Sequence, residues 1–322
     1  MTFIAGDIGG TKSWLAWRSI APNGQQLSYE KVYASADFTS AESLLKRFLA
    51  DAQAVSPPAS IVLALPGPVH EQHVTLTNLE WTLDAAALQK SLGVEYVRFI
   101  NDFQAAAAGV ATLTDADVVV LNTCAAEPRG VRAITGAGTG LGLAFMLPDA
   151  QGHYHSHATE GGHIDFAPAN AMQTRLLEHL RVRYGHVSWE RVASGSAMND
   201  LYRFCCAEHK RSAGSETVDG AMLSTLAQSG DEAAAAALDL FIEVYGAWVG
   251  NVALLYQPSG GLYIAGGVSS HLQARMQSPR FLAAALDKGR MRSVVERTPI
   301  YLVTSGRLGV QGAIESVSLN TT

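Results

Sequence analysis

The sequence predicts a mixed α/β protein of two lobes with a ligand cleft, and three observations carry that reading. At 322 residues the chain exceeds what one typical core supports. Apolar runs of strand length alternate with segments of helical period. A Gly-Thr turn followed by an alternating strand also occurs twice: Gly10, Thr11, Leu15, Ala16 and Trp17 face Gly138, Thr139, Leu143, Ala144 and Phe145, 128 positions later. Duplication of one lobe explains that echo.

Thr2 to Gly6, the Gly9-Gly10 turn and Ser13 to Arg18 form a β-hairpin pattern. Thr39 and Glu42 have capping-box spacing ahead of Leu44, Leu45, Phe48 and Leu49, which predicts a helix from Ser40 to Ala52. A buried strand, Ile61 to Leu65, ends in the Pro66-Gly67-Pro68 turn. The next helix opens on Asp84 and stops at Gly93, and the strand Tyr96 to Ile100 delivers Asn101 and Asp102 to its C-terminal end. In open α/β sheets that is where ligands bind. The second half begins with strands at Asp117 to Leu121 and around Ile134, then a glycine-rich turn and a strand ending at Phe145. Helices follow at Gln173 to Tyr184, Ser196 to Lys210 and Asp231 to Tyr256, the last with an Ala-rich start suited to close packing. Strand Leu262 to Ala265 runs into Gly266-Gly267, and a strand from Pro299 to Thr304 and a helix from Gly309 close the chain.

Composition narrows the function. Hydrophobic residues make up 48% and charged residues 16%, the balance of a compact globular protein. The net charge is −6 and no Lys/Arg block stands out, so no nucleic-acid footprint is present and a small-molecule partner is favoured. The N-terminal segment lacks a basic region ahead of a long apolar stretch, and no apolar run of about 18 residues is evident; we expect a soluble, cytoplasmic protein without membrane association. Cys124, Cys205 and Cys206 are an odd set without metal-site spacing, read as reduced structural thiols.

Asp7, Gly9, Gly10 and Thr11 form a turn where backbone N–H groups can approach phosphate, because glycine removes the blocking Cβ. An ordinary tight turn with a capping Asp fits the same residues. Gly136, Gly138, Thr139, Gly140 and Gly142 form a second such turn, and two cradles can grip one triphosphate. Gly266 and Gly267 could admit adenosine against bare backbone. Asp102 reads either as the base for an attacking hydroxyl or as the N-cap of the helix that follows. Glu160 and His163, joined by a flexible Gly161-Gly162 pair, can bind sugar hydroxyls as acceptor and donor. Glu190 is a third acid, or else a partner of Arg191 or Arg183 on a solvated helix face. His153, His155 and His157 alternate along a strand that is read as exposed rather than as a zinc site.

Together DIGGTK (Asp7 to Lys12), INDFQAAAAG (Ile100 to Gly109), GAGTGLGLA (Gly136 to Ala144), EGGHIDFAP (Glu160 to Pro168) and GGLYIAGGV (Gly260 to Val268) resemble the bacterial glucokinase family, in order and over nearly the whole chain. The resemblance implies the actin-like, ribonuclease-H-like ATPase fold with duplicated mixed sheets. It implies a small domain at 1–112 joined by the C-terminal segment 303–322, a large domain at 113–302, and closure over sugar and ATP. It implies transfer of the γ-phosphate of ATP to the 6-hydroxyl of D-glucose. Asp102 would be the catalytic base; Asn101, Asp102, Glu160, His163 and Glu190 would hold the sugar. Asp7, Gly9, Gly10, Thr11, Gly138, Thr139, Gly140, Gly266 and Gly267 would hold the nucleotide, with Asp7 at Mg2+, in a homodimer formed through the large lobe.

Two departures stand out: Lys12 replaces the Asn usual after the first turn, and the family's SGPG-like turn reads Ser194, Gly195, Ser196, Ala197. Rival readings are a kinase for another hexose or amino sugar, whose cysteine-rich zinc motif is missing, and a sugar-sensing regulator, for whose DNA-reading domain the strand starting at Thr2 leaves no room. A filament-forming or chaperone-like ATPase would not need the Asn101, Asp102, Glu160, His163 set.

Overall fold

The computed structural model describes residues 2–20, 26–54 and 57–318, so the expected C-terminal segment is described as far as Ser318. In chain order the strands are β1 (Phe3–Ile8), β2 (Lys12–Ile20), β3 (Gln26–Ala34), β4 (Ser60–Leu65), β5 (His73–Leu76), β6 (Trp81–Asp84), β7 (Tyr96–Asn101), β8 (Val118–Asn122), β9 (Arg132–Ala137), β10 (Leu141–Pro148), β11 (Tyr154–Thr159), β12 (Gly261–Ala265) and β13 (Ile300–Val303). The helices are α1 (Ala41–Asp51), α2 (Ala85–Leu92), α3 (Asp102–Gly109), α4 (Ala171–Tyr184), α5 (Glu190–Ala193), α6 (Met198–Glu208), α7 (Gly220–Gln228), α8 (Glu232–Tyr256), α9 (Gly267–His271), α10 (Gln273–Met276), α11 (Pro279–Leu286), α12 (Arg292–Glu296) and α13 (Leu308–Ser318).

The chain divides into two compact units: Met1–Leu113 with His155–Ala158 and Gly306–Thr322, and Thr114–Tyr154 with Thr159–Ser305. The return to the first unit comes later than the expected residue 303, because β13 pairs with β12 and β8 and the Thr304 N–H donates to Asp117 O. That pairing holds the chain in the second unit up to Ser305.

The first sheet has the order β3-β2-β1-β4-β7, and the second β11-β10-β9-β12-β13-β8. In both, a strand pairs antiparallel with its hairpin partner (β1 with β2, β9 with β10) and parallel with a later strand (β1 with β4, β9 with β12). The first five positions therefore match, with β8 an added edge. The echo at 128 positions holds for β2 and β10 but becomes 129 for β1 and β9: Ile8 pairs with Ser13, whereas Ala137 pairs with Leu141. The first turn is one residue longer.

In the first unit, strand alternation sends alternate side chains to two cores. Ile4, Ile8, Ile61, Leu63 and Leu65 pack with Leu44, Leu45 and Phe48 of α1, while Ala5, Val62, Ala64 and Ile100 face Ala105 of α3 and Ala313 of α13. The second face is lined by small residues, so helix backbones approach closely. A Cβ on Gly312 would overlap the Ala105 carbonyl oxygen.

Asp84 caps α2 by accepting from Ala87 N, and Gly93 ends it at φ 65°, both as expected. The α1 cap lies one residue later than predicted: Ser40 accepts from Ser43 N and Ser43 Oγ accepts from Ser40 N, closing a box without Thr39 or Glu42. The hairpin β5–β6 was not anticipated. It buries Val74, Leu76, Trp81 and Leu83 in the α1-side core.

In the second unit α8 is the central helix, capped by Asp231. Its 18-residue window of mean hydropathy 1.4 makes it, among the described residues, the one helix long and apolar enough to cross a membrane, contrary to the expectation of no such run. Most of it is buried instead, with Ala233, Ala234 and Ala237 allowing close packing and Tyr245 and Trp248 in the core. Cys205 and Cys206 are buried in the same core, and burial pushes the Cys205 thiol up to about 12. His153, His155 and His157 are exposed on and beside β11.

Candidate active site

In the first unit two strand ends carry the chemistry. The β1–β2 turn is closed by Gly9 N–H donating to Lys12 O at 2.9 Å, and it is pinned from behind: Ser35 Oγ donates to Gly9 O at 2.7 Å and Ser35 N donates to Thr11 O at 3.0 Å. Asp7 sits at the end of β1 against the first turn of α13, where Gly309 leaves room for its carboxylate. Desolvation pushes that carboxyl up to about 6, with the Lys12 charge pulling it back down. Lys12 is exposed, and its charge only partly offsets the desolvation of Asp7.

The β7 end settles which residue caps α3. Asn101 is the N-cap: its Oδ1 accepts from Phe103 N at 2.9 Å and Gln104 N at 3.1 Å, and its Nδ2 donates to Gly67 O at 3.1 Å. Asp102 is the first helical residue, its Oδ1 accepting from Phe103 N at 2.9 Å. The reading of Asp102 as the cap is thereby corrected. Asn101 needs both ends of its amide to join strand, turn and helix, and Asp102 follows in the first turn, where the helix dipole favours a carboxylate.

In the second unit the β9–β10 turn is held by buried polar groups. Tyr245 OH accepts from Ala137 N at 3.2 Å, Thr135 Oγ1 donates to Gly142 O at 2.8 Å, and Trp248 Nε1 donates to Thr135 Oγ1 at 2.8 Å. A Cβ on Gly138 or Gly267 would meet no atom within 4 Å, so both expose bare backbone to open space. Gly266 differs: its φ is 99° and a Cβ would lie 2.5 Å from Ala137 O, so glycine there serves the fold. The Ser194–Ala197 turn docks on this loop, with Gly195 N donating to Gly138 O at 2.8 Å and Ser196 N to Thr139 O at 3.4 Å. Proline at position 196 could not make the second bond.

Beside that turn stand three polar side chains. Glu190 Oε2 accepts from Leu141 N at 2.9 Å, and His163 Nε2 lies 4.0 Å from Glu190 Oε2 and 3.9 Å from Glu160 Oε2. Glu160 and His163 are each 59% exposed at the side chain, leaving polar atoms available to a ligand. The alternative partners for Glu190 are engaged elsewhere: Arg183 pairs with Asp200 and Arg191 lies over the Tyr184 ring. Glu190 follows buried Trp189, whose backbone N–H donates to Ile164 O at 3.0 Å and whose ring packs edge-on against Phe166. Gly161 and Gly162 are not a flexible hinge. A Cβ at Gly162 would overlap Leu141 O and one at Gly161 would lie 2.5 Å from Leu143 Cδ2, so the pair lets the Glu160–His163 loop lie directly on β10.

Paired sheets of matching order, each with a glycine turn where its first hairpin bends, define an actin-like ATPase fold. The glucokinase family model matches residues 4–319. A curated glucokinase of a Synechocystis species is 35% identical, covering 97% of each chain, and one of Yersinia enterocolitica is 34% identical over 96% of this chain and 94% of its own. A crystal structure of a glucokinase from an Antarctic psychrotroph superimposes with a TM-score of 0.85 at 31% identity, covering 99% of both chains. The chain belongs to the glucokinase family, kinases that phosphorylate glucose with ATP.

Proposed function

We propose that the protein transfers the γ-phosphate of ATP to the 6-hydroxyl of D-glucose, with Asp102 accepting the hydroxyl proton. The observation that carries this reading is the sharing of one short segment by two functions: Glu190, with His163 beside it, is bonded to Leu141 next to the Gly138–Gly140 turn. Sugar-hydroxyl acceptors thus stand next to backbone open enough for a phosphate. In this reading Glu160 and Glu190 accept sugar hydroxyls, His163 exchanges a hydrogen bond with one, and Asn101 sets the position of Asp102 through its cap and its bond to Gly67.

Gly9 and Gly138 close their turns by donating to Lys12 O and Gly140 O, so Gly10, Thr11, Thr139 and Gly140 are the residues that present N–H groups to the nucleotide, with Gly267 leaving room for it and Gly266 shaping the chain there. Asp7 fits a Mg2+ role, because a desolvated carboxylate opposed by one lysine gains from a further cation. Magnesium in such sites keeps few protein ligands and neutralises charge on the phosphates. A cytoplasmic homodimer is proposed on family grounds, with sedimentation velocity as the check on assembly.

An ADP-release assay across glucose, mannose, fructose, glucosamine and N-acetylglucosamine, run with and without Mg2+, tests the substrate. Glucose should give the highest kcat/KM, and turnover of another sugar with glucose inert would reject the assignment. Gly138→Ala tests the cradle. Its Cβ enters open space, so folding should be unchanged while KM for ATP rises about tenfold and glucose affinity stays put. An unaltered ATP KM would remove the turn from the nucleotide site.

A further inference from the structure

Asn78 lies in the β5–β6 turn, a segment without a role in the reading above. That turn is closed by Leu79 N donating to Leu76 O at 3.1 Å, and Glu80 is left-handed at φ 55°. Its stem is rigid: Val74, Leu76, Trp81 and Leu83 are buried. Gln72, at the foot of β5, clasps β7, its Oε1 accepting from Phe99 N at 2.6 Å and its Nε2 donating to Phe99 O at 3.3 Å. The hairpin is thus bound to the strand that ends in Asn101 and Asp102.

The tip reaches the phosphate turn. A Cβ on Gly10 would stand 3.4 Å from Asn78 Cβ and 3.5 Å from Asn78 Nδ2. Asn78 is exposed, and among the described residues its carboxamide has no hydrogen-bond partner. An unpartnered donor carried on a buried stem therefore stands beside a glycine whose N–H belongs to the turn.

We propose that Asn78 is a phosphate-contacting residue of the kinase, its Nδ2 N–H groups donating to oxygens of the nucleotide's terminal phosphate at the Gly9–Thr11 turn. This rests on the reading of that turn as a phosphate cradle. An amide suits the position because it donates without adding a charge that would hold the product. A carboxylate of the same shape would accept only and would repel phosphate. That contrast separates a contact from a structural role.

Asn78→Asp should lower kcat/KM for ATP about 100-fold and Asn78→Ala about tenfold, with thermal midpoint and glucose Kd, read by intrinsic fluorescence, within error of the parent. Gly10→Ala is assayed in parallel. If Asn78→Asp stays within twofold of the parent while Gly10→Ala is impaired with ATP, the Asn78 contact is overturned and the cradle stands. If both behave like the parent, the cradle reading fails and takes the contact with it. A rise in glucose Kd with ATP kinetics unchanged would overturn the proposal in favour of a sugar contact.

Discussion

Replacing Asp102 with Asn is expected to lower kcat about 1,000-fold while leaving glucose Kd within threefold, because a general base acts chiefly in the transition state, where its removal typically costs 10²- to 10⁴-fold. The fold should tolerate the change. Asp102 Oδ1 accepts from Phe103 N, and an Asn Oδ1 can accept that bond equally well. The change also removes the charge in the first turn of α3, about 0.3–1 kcal/mol of dipole interaction. Asp102→Ala should be as inactive and somewhat less stable. Pre-steady-state quench-flow with saturating glucose and ATP is the decisive measurement: a phosphoryl-transfer step within tenfold of the parent would remove Asp102 from the chemistry. Asn101→Ala should behave differently. It strips the cap bonds to Phe103 and Gln104 and the bond to Gly67, so stability and kcat should fall together.

The largest stability effect is expected at Gly312, on the face of α13 that packs against α3. Alanine in a helix interior normally gains about 1 kcal/mol over glycine. Here the added methyl would overlap the Ala105 carbonyl oxygen, a backbone atom that cannot swing aside like a side-chain tip. Overpacking of this kind costs about 3 kcal/mol, which outweighs the propensity gain and leaves a net loss of about 2 kcal/mol. Gly306→Ala, where a Cβ meets nothing within 4 Å, is the matched control and should be neutral within about 0.5 kcal/mol. Urea titration of the two variants decides the matter, and equal midpoints would show that α3 and α13 part at no cost. Because α3 begins at Asp102, Gly312→Ala should also lose activity at temperatures where it remains folded.

Local chemistry was legible where a few neighbouring residues determine the outcome. Asp84 and Gly93 bound α2, and Asp231 opens α8, because a capping side chain or a left-handed glycine acts within one turn of its own position. The α1 cap was less clear, since Thr39, Ser40, Glu42 and Ser43 offer two overlapping boxes, and the helix adopts the one formed by the two serines. The β5–β6 hairpin is not legible in the sequence because its strands have four residues each, too few for alternation to stand out, although the burial of Val74, Leu76, Trp81 and Leu83 follows that alternation. Strand β3 is not legible either, because little of it is buried and it carries no clear apolar period.

The sequence by itself determined the two-sheet α/β class, the paired glycine turns and the residues able to carry acid, base and phosphate chemistry, because these depend on residue type and short spacing. Only the tertiary structure decided what each of them touches. It made Asn101 rather than Asp102 the cap of α3, gave Glu190 to Leu141 instead of an arginine, and made Gly161 and Gly162 a packing surface. It also brought Asn78 against Gly10, 68 positions away in the chain. Which atoms meet across such separations is set by how strands and helices pack, and no short-range pattern records it.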